Sequence, residues 1–203
     1  MEKTANSIIK KTVQHVRDLH SGDGSGHDWW HIYRVWTVAK KLAEAEGADL
    51  TIVELAALLH DIADWKFYDG DETQGIRVAR EWLKKIGVDS STIMEVCTII
   101  SEISYKGAGV PTPMSSLEGM VVQDADRLDA MGAIGTARAF AYGGYKGRLI
   151  YHPDQPPVSH QSFEAYKNNT GPSINHFYEK LLLLKDRMNT ECAKKQFFIK
   201  VVD

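Results

Sequence analysis

Apolar side chains recur every three to four residues through most of the chain. This spacing aligns them on one face of an α-helix, whereas the period-two alternation of half-buried β-strands is scarce. After the sixth helix, the segment MGAIGTARAFAYGG, rich in small residues, continues as a helix, and residues 161–170 are too polar to place. We predict an all-α fold with helices over about 4–19, 28–46, 51–63, 72–86, 90–104, 116–130 and 173–195.

Short signals mark several helix ends. Gly47 follows an apolar periodic segment and favours helix termination there. Thr51 and Glu54 have the spacing of a capping box and predict a helix start, and Ser115 and Glu118 repeat that spacing. These signals divide the chain into consecutive helices joined by short loops.

The composition is that of an ordinary globular protein of 203 residues, long enough for one domain with a sizeable core. No linker or low-complexity tract divides it, so we expect a single domain over residues 1–203. A net charge of −3 provides no overall basic field, which argues against a nucleic acid polymer as partner. Apolar runs are too short for a membrane span or a signal peptide, and Cys97 and Cys192 are too few for a disulfide framework. A cytoplasmic enzyme or binding protein fits these limits.

Two histidines and two aspartates stand on the core-facing sides of three predicted helices. His31 shares its helix face with apolar Val35, and His60 ends the apolar helix TIVELAALLHDIAD. Asp61 follows His60 directly, and Asp126 lies in QDADRLDA on a later helix. Adjacent side chains on a helix diverge by about 100°, but at a helix end two neighbours can reach one ion from two directions. We expect the four side chains to meet in the interior.

Imidazole nitrogen combined with carboxylate oxygen suits a divalent manganese, iron, cobalt, nickel or zinc ion. Two nitrogens and two oxygens leave positions on an octahedral ion for water and a phosphate oxygen, which is the arrangement of a metal-assisted hydrolase. Taken alone, each histidine is more often a hydrogen-bonded core residue. Asp126 alone could be a buried carboxylate paired with Arg127 or Arg138. The metal hypothesis depends on all these features occurring together.

These residues resemble the His…His-Asp…Asp signature of the HD superfamily. The surrounding segments, GHDWWHIYRVW, AALLHDIADWK, ISYKG, DADRLDAMGAIGTARAFAYGG and INHFYEKLLLLKDRMNT, are similar to the small single-domain bacterial HD hydrolases, and the likeness covers about residues 26–190. The resemblance implies an HD-type helical bundle that cleaves nucleoside triphosphates, in particular deoxynucleotides, to the monophosphate and pyrophosphate. It implies one divalent metal ion held by His31, His60, Asp61 and Asp126, with manganese favoured over iron, cobalt, nickel, zinc or magnesium. The expected partner is a small-molecule nucleotide, with no membrane, and a homodimer is left open.

Two aspartates near the proposed ligands are candidates for a general base. Asp64 lies close enough after His60 to take a proton from water at the metal, and Asp69 matches a second acidic position in related HD nucleotidases. The alternatives are an ordinary helix-end carboxylate for Asp64 and a turn residue for Asp69. No histidine occurs between His60 and His152, a stretch in which binuclear HD enzymes use further histidines, so the resemblance favours a single metal.

Phosphate binding requires cations or hydrogen-bond donors. Lys106 follows the fifth helix, Arg127 is next to the metal ligand Asp126, and Arg138 is on the following helix. Lys146 lies in the Gly-rich segment GGYKGR, which could close over phosphates, and His27 precedes the helix that carries His31. A solvated surface side chain is the alternative for each, and we expect two or three of the five to bind phosphate.

Other residues flank the proposed ligands without an assigned role. Some tryptophans could stack on a base or line the pocket, and two aspartates on the helix of Asp126 could tune the metal shell or bind sugar hydroxyls. Core packing or surface exposure is the alternative for these residues, which are Trp29, Trp30, Trp65, Asp124 and Asp129.

Three functions remain at this stage. The first is a phosphohydrolase that cleaves (deoxy)nucleoside triphosphates by metal-activated water. The second is a 5′-nucleotidase that acts on monophosphates through the same site. The third is a nucleotide-binding sensor without turnover, against which the intact set of four ligands argues.

Overall fold

The computed structural model describes the backbone of residues 2–22, 28–63, 71 and 73–202, and the side chains of 5–22, 28–63, 71 and 73–196. No strand occurs in this part of the chain, so the predicted all-α class is confirmed. The helices are α1 (Glu2–Leu19), α2 (Trp29–Glu46), α3 (Leu50–Leu59), α4 (Thr73–Lys85), α5 (Ser90–Glu102), α6 (Leu117–Ala130), α7 (Ala133–Tyr145), α8 (Phe163–Lys167), α9 (Asn175–Glu179) and α10 (Glu191–Val202), with a 3₁₀ helix (Leu181–Arg187) before α10.

Helix α2 is fixed at both ends by local side-chain and backbone chemistry. The Asp28 carboxylate accepts a hydrogen bond from the His31 N–H at 2.9 Å and caps the first turn. Gly47 takes the left-handed conformation, φ 75°, and its N–H donates to the Ala43 carbonyl. This cap sets the rotation of the first turn, on which His31 faces the core.

Asp49, rather than Thr51, caps the start of α3. Its carboxylate accepts from the Thr51 N–H at 2.8 Å, and Glu54 instead accepts a hydrogen bond from the Trp36 indole N–H at 3.0 Å. The capping box predicted here was therefore wrong, because an aspartate two residues earlier is the stronger local acceptor.

Helix α6 shows the same kind of correction. The Ser116 hydroxyl accepts from the Gly119 N–H at 3.1 Å, so the cap is Ser116 and not Ser115. Glu118 reaches away from its own helix and accepts from the Asp49 N–H at 3.0 Å. This contact joins the start of α6 to the start of α3.

Helix α3 is the centre of the core. Every residue from Leu55 to Leu59 is fully buried, and α1, α2, α5 and α6 pack around this segment. Helix α2 presents Ile32, Val35 and Leu42 to the same core, all fully buried. The C-terminal end of α3 therefore delivers His60 and Asp61 to a position between α2 and α6.

A break separates α6 from α7, where the sequence pattern predicted one continuous helix. Met131 is extended, and Gly132 has φ 145°, a conformation that residues with a Cβ rarely adopt. The break redirects the chain, so that α7 starts a new direction directly after the helix of Asp126.

The C-terminal region also departs from the single helix predicted over 173–195. Lys180 is non-helical, with φ −142° and ψ −63°, and it separates α9 from the 3₁₀ helix. The Tyr105 hydroxyl donates to the Glu179 carbonyl at 2.8 Å, and Leu181 and Leu184 pack against Tyr105 in a second small core. Tertiary contacts with Tyr105 thus override the local helical pattern. Across the described helices, none combines the length and apolar character needed to cross a membrane.

Candidate metal centre and adjoining cavity

His31 and His60 bring their imidazole rings together at the meeting point of α2, α3 and α6. Their Nε2 atoms are 3.3 Å apart, and the side chains are 1% and 8% exposed. His60 Nδ1 lies 2.8 Å from the Ala57 carbonyl, and His31 Nδ1 lies 2.8 Å from Asp129 Oδ2. These acceptors assign the proton to Nδ1 in both rings, which leaves each Nε2 lone pair directed into the shared space.

Two carboxylates border the same space. Asp126 Oδ1 is 3.5 Å from His31 Nε2 and 3.9 Å from His60 Nε2. Asp61 Oδ2 is 3.4 Å and 3.7 Å from the same two nitrogens. Among the described residues, His31, His60 and Asp126 form a compact group whose donor atoms lie within 4.8 Å of one another. Asp61 borders both histidines but stands outside that group.

The donor set fits a divalent cation. Metal–ligand distances of about 2.0–2.2 Å place neighbouring donors roughly 3.0–3.5 Å apart, close to the separations found here. Two nitrogen lone pairs and two carboxylates that face one another repel, and a cation between them removes that repulsion. Imidazole and carboxylate together are the ligands of manganese, iron and zinc sites. The nitrogens and oxygens are thus arranged as three or four ligands to one ion.

Asp129 supports His31 from behind. Its carboxylate accepts from His31 Nδ1 at 2.8 Å, from Arg34 Nε at 2.6 Å and from Arg138 Nη1 at 3.0 Å. Asp129 is one helical turn after Asp126 and is 9% exposed. A carboxylate that holds the outer nitrogen of a histidine fixes the ring orientation and raises its basicity. Asp129 therefore fixes the orientation of the His31 ring, a predicted metal ligand.

The charges of the centre are reflected in its pKa values. Burial raises the pKa of the Asp126 carboxyl, but His60 and His31 lower it, and the net direction is downward. Burial also raises the pKa of Asp129, while the hydrogen bonds from His31 and Arg34 bring it well below its usual range. Burial lowers the pKa of His31, and the bonds to Asp129 and Asp61 raise it to a net value above the ordinary one. The Asp126 carboxylate is therefore ionised and can bind a cation.

A cavity of about 760 Å³ adjoins this centre. It begins at Ala130, directly after Asp129, and at Arg138, whose Nη1 lies 2.8 Å from His31 Nδ1. Its size lies within the usual range of small-molecule sites. The walls are formed by α7, by the segment before α8 and by the turns around α9, and the lining side chains include Tyr142, Lys146, Arg148, Tyr166, Lys167, Asn169, His176 and Lys180.

Glycine permits α7 to approach the metal centre. A Cβ at Gly135 would lie 2.1 Å from the Ala130 carbonyl oxygen, so another residue would push α7 away from the end of α6. Arg138 is one helical turn after Gly135, on the face that lines the cavity. Gly135 thus allows α7 to hold the Arg138 guanidinium between the candidate metal centre and the cavity.

The predicted phosphate-binding residues occupy different places. Arg138 and Lys146 line the cavity. Lys106 does not, and its Nζ lies 5.5 Å from the centre of the Phe163 ring. Arg127 is buried and donates to the Thr112 hydroxyl at 3.1 Å and to the Arg187 carbonyl. Contrary to prediction, Arg127 stabilises the C-terminal segment, because its guanidinium is used by backbone and side-chain acceptors inside the protein.

Other predicted residues are placed as follows. Asp124 is buried and accepts hydrogen bonds from the Asn189 and Thr190 N–H groups, so it holds the segment before α10 rather than a sugar. Trp29 is buried and Trp30 is 58% exposed, and neither lines the cavity. His27, Asp64, Trp65 and Asp69, for which the sequence predicted possible roles, lie outside the described residues.

Several residues of this region were not predicted. These are cationic side chains beside the centre or in the cavity wall, namely Arg34, Arg148, Lys167 and Lys180. Arg34 has a usable signal, since it lies one turn after His31 on the same helix. The other three lie in segments whose local structure the sequence pattern did not reveal.

The sequence model of the HD domain family matches residues 29–131, half of the chain. The match begins at the start of α2 and ends just after α6, so it contains the histidine pair and both bordering aspartates. The chain belongs to the HD domain family. Bacillus subtilis YpgQ is similar to it over the same region and beyond, with 41% identity over 184 residues, 89% of this chain and 80% of YpgQ.

Three solved bacterial structures resemble this fold. A Lactobacillus plantarum protein has a TM-score of 0.87 at 36% identity, covering 97% of this chain and 91% of that one. An HD-superfamily hydrolase from Bacillus thuringiensis has a TM-score of 0.69 at 44% identity, covering 97% and 90%. YpgQ in complex with ADP has a TM-score of 0.72 at 36% identity, covering 97% and 89%.

Proposed function

We propose that this chain is a metal-dependent phosphohydrolase that cleaves nucleoside triphosphates, deoxynucleotides in particular, to the monophosphate and pyrophosphate. One observation carries the proposal: a buried group of imidazole and carboxylate donors lies next to a cavity that no described aspartate or glutamate lines, with Arg138 between the two. Such a cavity favours a polyanion next to a divalent cation. Cleavage at a phosphorus atom is the chemistry that uses both features together.

The residues that would hold the cation are His31, His60, Asp61 and Asp126, with manganese the favoured ion. When bound, the ion acts as a Lewis acid towards a phosphoryl oxygen and lowers the pKa of coordinated water. The family membership and the B. thuringiensis hydrolase support this assignment.

The protein's own groups orient the substrate and balance its charge. Arg138 lies between the candidate metal centre and the cavity, where its guanidinium can donate hydrogen bonds to phosphoryl oxygens. Lys180 lines the same cavity and lowers the pKa of Asp126, so its charge is felt at the centre. Water attacks the α-phosphorus, the bond to the bridging oxygen breaks, and pyrophosphate leaves while these cations neutralise its charge. Asp64 and Asp69 remain our candidates for the base that accepts the proton of the attacking water.

A nucleotide is the proposed ligand for two reasons. YpgQ was crystallised in complex with ADP, and that protein is similar to this chain over most of both lengths. The sequence segments around the proposed ligands also resemble hydrolases of deoxynucleoside triphosphates. Both arguments support a nucleoside polyphosphate over a simple phosphate ester.

Product analysis tests this function. The full chain is incubated with dATP, ATP, dAMP and AMP, each with Mn²⁺, in water labelled with ¹⁸O, and products are separated and weighed. We expect monophosphate and pyrophosphate from dATP, with the label in the monophosphate, because attack is at the α-phosphorus. Asp126→Ala should abolish turnover, and Lys185→Met, an exposed lysine outside the cavity, should retain it.

Each alternative has its own result in the same assay. Faster cleavage of dAMP than of dATP would select a 5′-nucleotidase. Label in orthophosphate with release of dADP would move the attack to the terminal phosphorus. Absence of turnover with manganese, iron, cobalt, nickel, zinc or magnesium, while dATP still binds, would replace the hydrolase with a sensor.

A further inference from the structure

The cavity beside the metal centre has walls of a single charge sign. No aspartate or glutamate is among its lining residues in the described part of the chain. Nucleotide sites that recognise a sugar commonly use a carboxylate for its hydroxyls, and none is offered here. The basic lining residues are Arg138, Lys146, Arg148, Lys167, His176 and Lys180.

These cations extend over the length of the cavity. Arg138 lies on α7 and Lys146 directly follows the last residue of that helix, eight residues and therefore about 12 Å further along the helix axis. Arg138 stands at the metal end, beside Asp129. Lys180 and Lys167 belong to other walls, and Lys167 is near enough to Asp71 to lower the pKa of that residue. The positive charge therefore extends along the cavity, from Arg138 beside the candidate metal centre to Lys146.

Two aromatic side chains of the cavity wall that could stack on a nucleobase, Tyr142 and Tyr166, are already packed against protein groups. Lys146 Nζ lies 5.7 Å from the centre of the Tyr142 ring, and the Arg148 guanidinium lies 5.8 Å from it. Tyr166 contacts the rings of Tyr105 and His160, at 5.2 Å and 5.9 Å. The aromatic walls are thus packed against protein groups.

The amide of Asn169 is used in the same way. Its Nδ2 donates to Glu179 Oε2 at 2.7 Å, and its Oδ1 accepts from the Gly171 N–H at 2.8 Å. Both ends of the side chain therefore hold the cavity wall together, and base recognition by this amide would break those bonds.

We infer that this cavity binds a condensed phosphate chain, and that it takes inorganic tripolyphosphate as a ligand without any nucleoside. The orientation of the phosphate chain rests on the proposed function. Its reacting phosphorus is at the metal end of the cavity, and the phosphates beyond it lie along α7 between Arg138 and Lys146. Recognition then depends on the number of phosphates rather than on the base. Pyrophosphate, the proposed product, occupies the same part of the cavity before it leaves.

Isothermal titration of the full chain tests this inference directly. The probes are orthophosphate, pyrophosphate, tripolyphosphate and deoxyadenosine, each measured with Mn²⁺ in excess over the probe and again in metal-free buffer. We expect affinity to rise on the order of tenfold with each added phosphate, since each adds charge-assisted hydrogen bonds. We expect deoxyadenosine to bind more weakly than pyrophosphate, and tripolyphosphate binding to weaken with added salt.

Matched lysine variants locate the site. Lys146→Met should weaken the binding of tripolyphosphate on the order of tenfold. It should change the affinity for orthophosphate by less than about twofold, because Lys146 is remote from the reacting phosphorus. Lys185→Met removes an exposed lysine outside the cavity and should change neither of these two affinities. Circular dichroism and thermal unfolding establish that the variants fold.

Tripolyphosphate that binds no tighter than orthophosphate, or equal effects of the two lysine variants, would overturn the inference. Deoxyadenosine that binds as tightly as tripolyphosphate would also overturn it and assign the cavity to the nucleoside. If dATP is hydrolysed but tripolyphosphate does not bind, the inference fails and the proposed function stands. If tripolyphosphate binds and no nucleotide is cleaved with any metal, the proposed function fails and the inference stands.

Discussion

Replacing Asp129 by asparagine should separate the orientation of a metal ligand from the ligand itself. The carboxylate accepts from His31 Nδ1, from Arg34 through two nitrogens at 2.6 Å and 3.1 Å, and from Arg138 at 3.0 Å. Asparagine has nearly the same shape, but it offers one acceptor oxygen instead of two and carries no charge. Asp129→Asn therefore leaves at least one of these donors without its partner.

The expected loss can be estimated from this geometry. Removing a carboxylate that holds a ligating histidine lowers metal affinity by about 10- to 100-fold, or roughly 1.4–2.7 kcal/mol. Stability should fall as well, because two arginines lose their common partner. Breaking a fully buried ion pair costs about 3–5 kcal/mol, but the Arg34 side chain is 33% exposed and that of Arg138 is 18% exposed. We therefore expect the free energy of unfolding to decrease by about 1–3 kcal/mol.

Competition with a chromophoric chelator measures the Mn²⁺ affinity, and urea unfolding measures stability. Asp124→Asn is the matched control, because Asp124 is also buried on α6, two residues before Asp126. Its carboxylate binds the N–H groups of Asn189 and Thr190 and not the metal centre. The control should lose stability while its folded fraction keeps wild-type metal affinity.

Excess Mn²⁺ should restore much of the activity of Asp129→Asn, since the metal ligands themselves are intact. It should not restore activity to Asp126→Ala. Wild-type metal affinity in Asp129→Asn, or an equal loss in Asp124→Asn, would refute the assigned role of Asp129.

Three further predictions follow from the same geometry. Arg138→Met should raise KM for dATP on the order of tenfold and also lower kcat, because its guanidinium borders both the centre and the cavity; steady-state kinetics that left both unchanged would contradict this. Arg127→Met should instead lower the thermal unfolding midpoint by several degrees and leave KM near wild type, because the partners of Arg127 are Thr112 and the Arg187 carbonyl. A raised KM without loss of stability would show that Arg127 binds phosphate. Metal affinity should fall as pH decreases, because protons compete with the metal for His31. Burial lowers the pKa of His31, but Asp129 and Asp61 raise it to a net value above the ordinary 6.5, so the loss of affinity should begin above pH 6.5. Chelator competition between about pH 5.5 and 8 should show this slope, and a flat profile would exclude histidine ligation.

The sequence predicted the helices that carry the metal centre because each is amphipathic and locally capped. Helix α2 starts and ends as expected, with Asp28 before it and Gly47 after it. His31 and His60 could be assigned to the interior because apolar residues share their helix faces. Asp126 was expected beside them because it lies on the core-facing side of a later helix, and the family resemblance implied the same ligand.

The parts that sequence could not predict are set by tertiary contacts. The break at Lys180 follows from the Tyr105 hydroxyl on the Glu179 carbonyl, a pair 74 residues apart. Because the last helix was expected to be continuous, Lys180 was not placed in a cavity wall. Asp129 was assigned only as one of two options, since a carboxylate one turn from a ligand is equally common at a surface.

The most direct test of the whole account is the metal content of the purified protein, measured by mass spectrometry for wild type, Asp61→Ala and the control Asp124→Asn. We predict close to one transition-metal ion per wild-type chain, a similar content in folded Asp124→Asn, and a strong loss in Asp61→Ala, whose carboxylate borders both histidines. Equal metal in Asp61→Ala and wild type would remove Asp61 from the ligand set. A wild-type protein that binds no divalent ion would contradict the hydrolase proposal itself.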